Sequence, residues 1–189
     1  MVPGCPDTLI ENNIRSAAIE FCEKTGVYQA ELDPVTTVAN IYEYDLEPPS
    51  GTVVHKVMWV DNAGTPQYFV KNSQSLFWLV PVPQATSPSS TVLRVQLKPT
   101  HTSTACDDDV MTDYREAIIN GALTRLLRMP SREWTDYNGA SVFNSLFAQG
   151  IQDAERRARH ADEGVARKVN YGGIYSRVSS KRNRYGRGG

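Results

Sequence analysis

The chain has 189 residues, 40% of them apolar, and a formal net charge of −1, which suits one core, or one core with a small extension, and excludes two full enzyme domains. No apolar run approaches the roughly 20 residues of a membrane span, and Met1-Val2-Pro3-Gly4-Cys5-Pro6 has neither the basic region nor the apolar stretch of a signal peptide, so a cytoplasmic chain without membrane contact is expected. The near-neutral total hides two opposed parts: residues 1–164 carry 13 Lys/Arg against 21 Asp/Glu, a net of −8, whereas residues 165–189 carry seven Lys/Arg and no acid, a net of +7.

In chain order, the first segment reads as a helix. Asp7 or Thr8 can cap it, Thr8-x-x-Glu11 is a capping box, and Leu9, Ile10, Ile14, Ala17, Ala18, Phe21 and Cys22 recur on one face. Gly26 stops it. From Tyr28 to Leu97 the pattern changes to short runs rich in Val, Tyr, Thr and Trp: Val35–Val38, Ile41–Leu46, Thr52–Val60, Gln67–Lys71, Leu76–Val80 and Thr91–Leu97. Pro48-Pro49-Ser50-Gly51, Asp61-Asn62-Ala63-Gly64 and the Pro/Ser-rich stretch Pro81–Ser90 punctuate them as turns. Five or six strands are expected.

After Pro99 helical spacing returns. Asp107, Asp108 and Asp109 suit a helix N-terminus, and Val110, Met111, Tyr114, Ile118, Ala122 and Leu126 form one stripe. Met129-Pro130-Ser131 closes that helix. Trp134 and Tyr137 fall in the connection, and Ala140 to about Asp162 reads as a second long helix, with Val142, Phe143, Leu146, Phe147, Ile151 and Ala154 on one face. A short connection makes an antiparallel hairpin. The expected fold class is therefore α+β. A helical core of residues 1–27 and 100–164 carries a small inserted antiparallel β module, residues 28–99, and an extended basic arm, residues 165–189.

Catalytic signatures are absent: there is no GxSxG, Walker loop, GxGxxG after a strand, or HExxH. His55, His101 and His160 are single and scattered, and neither they nor Cys106 match the spacing of an established metal site. No catalytic residue, metal or cofactor is expected. Three cysteines, Cys5, Cys22 and Cys106, with no CxxC pair, read as free thiols. Trp59, Phe77 and Trp78 read as core or subunit-contact residues. Arg156, Arg157 and Arg159 are either a solvated face or a contact with a neighbouring subunit.

The arm has four aliphatic residues larger than alanine, Val165, Val169, Ile174 and Val178, too few for a core of its own. Its tyrosines and basic residues suit binding. Arg167, Lys168, Tyr171, Ile174, Tyr175, Arg177, Lys181, Arg182, Arg184, Tyr185 and Arg187 are the candidate partner-binding set, with arginines for carboxylate or phosphate and tyrosines as anchors. Nucleic-acid binding by this Arg/Tyr/Gly-rich segment is the alternative.

The opening helix, Pro6 to Gly26, and the closing hairpin, Tyr114-Arg-Glu-Ala-Ile, Leu126-Leu-Arg-Met-Pro, Trp134 and Phe147-Ala-Gln-Gly-Ile-Gln-Asp-Ala-Glu-Arg-Arg-Ala, carry a resemblance. In layout, over roughly residues 6–160, the chain resembles the head-to-tail adaptor (connector or collar) proteins of tailed bacteriophages, particularly the ring-forming collar proteins of short-tailed phages. The resemblance implies a structural virion protein, not an enzyme, at the neck between head and tail and assembled in the host cytoplasm. It further implies a ring of about 12 copies under the portal protein. The arm would dock on the portal, the β module would face tail (nozzle or tube) proteins, and double-stranded DNA would pass through the channel without specific binding. An acidic body suits such a wall, because attractive phosphate contacts would hold the DNA back. A tail-tube or stopper protein of the same particle is the near alternative.

Overall fold

The first helix, α1, spans Asp7–Thr25 in the computed structural model, which describes residues 4–103 and 106–162. Its N-cap is Pro6, whose carbonyl accepts from Leu9 N (3.0 Å) and Ile10 N (3.2 Å), and no side chain caps it. The Thr8/Glu11 capping box does not form, because the helix begins at Asp7 and places Thr8 inside the first turn. At the other end Gly26 adopts φ 62° and donates to the Cys22 carbonyl. A Cβ at Gly26 would also come within 2.6 Å of Gln96 Nε2, so both backbone and space require glycine there.

Six strands follow: β1 Gln29–Thr37, β2 Glu43–Asp45, β3 Thr52–Asn62, β4 Thr65–Lys71, β5 Leu76–Val80 and β6 Ser87–Pro99. They form one sheet in the order β1-β6-β3-β4-β5-β2, with every neighbouring pair antiparallel. β6 alternates strictly, with Thr91, Leu93, Val95, Leu97 and Pro99 buried. β3 does not. Register shifts at Val54/Lys56 and at Val57/Trp59 add a residue each, so Val54, Val57 and Val60, three apart, all point into the core. Leu32, Tyr44, Leu46, Phe77 and Leu79 complete this inner face.

Three helices close the described chain: α2 Asp108–Asp113, α3 Arg115–Leu127 and α4 Tyr137–Asp162. The expected single helix through Val110 and Leu126 is broken at Tyr114, whose φ of −120° and ψ of 17° leave the helical region. Asp107 caps α2 by accepting from Asp109 N and Val110 N. Phe21 of α1 centres a second cluster, its ring 5.2 Å from that of Tyr114 and 6.4 Å from that of Phe147. α3 and α4 approach closely on small residues. A Cβ on Gly150 would sit 2.6 Å from Ala117 Cβ, and one on Gly121 would sit 2.9 Å from the Phe147 ring.

The expected fold, a helical core bearing a small β module, is corrected by this architecture. The sheet dominates: its cluster holds eleven buried residues against nine in the helical one. β3 and β6 run 11 and 13 residues and pair along their length. The sequence reading understated it by assigning Pro81–Ser90 wholly to a turn, whereas β6 already begins at Ser87, and by starting the first strand at Val35, whereas β1 begins at Gln29. α1 is also tied to the sheet. Tyr28 packs against both clusters, its carbonyl accepts from Leu97 N (2.8 Å), and Lys98 pairs with Glu23. Helices and sheet share one compact unit that ends at Ala158, part-way along α4.

Candidate interaction surfaces

Among the described residues no group of three or more His, Cys, Asp or Glu side chains is placed to hold a metal ion, and no helix is long and apolar enough to cross a membrane. Cys5, Cys22 and Cys106 are free thiols. Cys22 and Cys106 share a hydrogen bond, which with burial pushes the Cys22 thiol well up and which draws Cys106 down against its own burial. Three surfaces stand out among the described residues.

The first is an open groove of about 550 Å³ between the start of α3 and the middle of α4. Asp113, Glu116 and Asp153 lie along it with Arg115 and Arg157, so its charge is mixed. Beside it α4 exposes Val142 (60%) and Leu146 (44%), and Tyr137, at the start of the helix, is 63% exposed. Of the three arginines singled out in the sequence, Arg157 lines this groove, Arg156 is exposed and pairs with Asp153, and Arg159 is exposed further along α4. Val142 and Leu146, expected on the buried face, are thus at the surface, while Phe147 and Ala154 are buried.

The second lies on the outer face of the sheet. Cross-strand pairs share a face, so the registers Tyr68↔Val80 and Val70↔Trp78 put four apolar side chains together. Tyr68 is 81% exposed and Val70 and Val80 are each 49% exposed. Trp59 also faces outward and is exposed, whereas Phe77 is fully buried. The three aromatic residues read alike in the sequence, and the sheet separates them.

The third is a slot of about 440 Å³ between β1 and β2, the two edge strands of the sheet. Tyr44 closes one end: its Oη accepts from Val38 N (3.1 Å) and donates to the Ile41 carbonyl (2.8 Å). Val35, Val38 and Ile41 supply apolar surface, and Asp33, Glu43, Asp45 and Glu47, all exposed, supply charge. Glu43 is held in place by Trp78 Nε1, which donates to Oε2 at 2.7 Å. No Lys or Arg lines the slot. Glu43, Asp45 and Glu47 alternate in the sequence, a signal of one charged strand face that was legible but not used; the approach of β1 to β2 was not legible.

A model of the SU10 adaptor protein family matches residues 6–168, nearly the whole described chain. The chain belongs to the SU10 adaptor protein family. It is a structural head–tail adaptor of a bacteriophage, which places it in the virion and in contact with other head and tail proteins. No curated protein gives a significant match. The arm residues expected from the sequence to bind a partner, Arg167, Lys168, Tyr171, Ile174, Tyr175, Arg177, Lys181, Arg182, Arg184, Tyr185 and Arg187, lie outside the described residues.

Proposed function

We propose that this adaptor works as a ring of about a dozen copies at the neck of a short-tailed phage, assembled in the host cytoplasm and seated beneath the portal protein. The observation that carries this reading is that unlike surfaces of the chain expose apolar residues, among them Val142 and Leu146 on α4 and Tyr68, Val70 and Val80 on the sheet. α1 is tied to β6, whereas β4 and β5 lie beyond β3 on the far side of the sheet order. Surfaces that differ do not build a two-fold dimer from one patch. Head-to-tail contact between unlike patches builds rings, and a patch left over is available to a different protein.

In this reading residues 1–27 and 100–164 supply the contacts between copies, with Arg156, Arg157 and Arg159 at or near that contact. The outer face of the sheet meets tail (nozzle or tube) proteins. DNA passes through the ring without specific binding, because the body has an excess of acidic groups. The arm residues Arg167 to Arg187 anchor the ring to the portal through charge-assisted hydrogen bonds. Deleting residues 165–189 tests the anchor. The truncated chain should remain folded and lose co-sedimentation with portal particles, and undiminished attachment would contradict the assignment.

A further inference from the structure

We infer that the acidic slot between β1 and β2 is the seat of residues 167–178 of a neighbouring copy, so that each arm latches the next subunit before its distal part reaches any other protein. The inference rests on the ring reading and narrows its portal anchor to the distal part of the arm, residues 179–189. Both strands beside the slot are sheet edges: β1 pairs only with β6, and β2 only with β5, among the described residues. An edge is a ready template for an added extended segment. Pro34, which has no N–H, sits in β1 at the register shift between Leu32 and Val35, where a bulge or an edge accommodates proline.

Charge on an edge strand also serves to keep it unpaired. What makes this slot a seat is complementarity within one chain. Four carboxylates line it with no basic residue among its lining, and none of the four is in an ion pair among the described residues. The same chain carries a segment with seven basic residues and no acid. That segment is itself divided. All its larger aliphatic residues lie at or before Val178, with Tyr171, Tyr175, Arg167, Lys168 and Arg177, whereas residues 179–189 have no aliphatic residue and hold Lys181, Arg182, Arg184 and Arg187. Val35, Val38 and Ile41 in the slot need apolar partners, and only the first part offers them. The slot's β1 side, Leu32 to Val38, is about 20 Å long and takes about seven extended residues, so it holds part of residues 167–178 and leaves the second part of the arm free to anchor on the portal.

The test uses the full chain. Unlabelled and ¹⁵N-labelled monomers are co-assembled, the mass of the assembly is measured, and a carbodiimide is added to join lysine to any carboxylate in direct contact. The expected product links Lys168 of one isotope to Asp33, Glu43, Asp45 or Glu47 of the other. Glu43→Gln with Glu47→Gln should reduce the remaining links to Asp33 and Asp45 about 10-fold, as the loss of two pairs implies. Glu43→Lys with Glu47→Lys should abolish them, and adding Arg167→Glu with Lys168→Glu should restore the slot–arm contact between copies. Links confined to one isotope would overturn the neighbour, and intact rings with no slot–arm link would overturn the seat while leaving the ring. A chain that stays monomeric would remove the ring reading and this inference with it.

Discussion

Two parts of the sheet, β6 where α1 packs and the gap between β1 and β2, are treated in opposite ways. At the β6 side the chain seals itself: Gly26 lets α1 turn onto the strand, Tyr28 bridges the two apolar clusters, and Lys98 pairs with Glu23. At the β1/β2 gap it stays open, with exposed carboxylates where a strand would add. The same backbone geometry thus serves stability in one place and binding in the other, and side-chain chemistry decides which. Variants at the sealed end should cost folding, whereas variants at the open end should cost association.

The largest effect is expected at Phe21. Phe21→Ala removes the ring that meets Tyr114 and Phe147 at 0% exposure and should cost about 3–5 kcal/mol in a denaturant titration. Gly150→Leu comes next. It drives bulk into Ala117 and should cost about 1–3 kcal/mol as α3 and α4 are pushed apart; an unchanged midpoint would refute the close helix contact. Glu23→Gln has a smaller effect with a pH signature. The hydrogen bond from Lys98 holds Glu23 below the usual carboxylate range. Its contribution is therefore present at neutral pH and is lost as pH falls through that lowered value. The variant should be less stable at neutral pH and converge with the natural chain in acid, as followed by thermal melts across pH. The smallest effect on stability belongs to the open end: Glu43→Gln with Glu47→Gln should change it by no more than about 0.5 kcal/mol. A large loss there would erase the contrast between the two ends.

Much of the order of elements was legible. β4 and β5 were anticipated closely because each is a β-branched or aromatic run with turn residues on both sides, and the Asp107 cap because acidic residues precede an apolar stripe. The balance of the fold was not legible. Thr52–Val60 was read as a strand, but bulges in β3 change its two-residue period into a three-residue one, so the inward face of Val54, Val57 and Val60 was not legible. The break at Tyr114 is invisible for a related reason, since the apolar stripe continues across it. For the surfaces, single residues gave little. Tyr68 and Val70 look like any strand residues until Val80 and Trp78 are placed beside them. Arg157 acquires a setting only when α3 packs against α4.

The central claim is that this adaptor forms a ring that joins head to tail, and imaging the purified chain mixed with the portal protein of the same virion by electron microscopy tests it most directly. A closed ring stacked coaxially on the portal ring is the predicted particle. Portal rings without added density, beside a chain that stays monomeric, would contradict it.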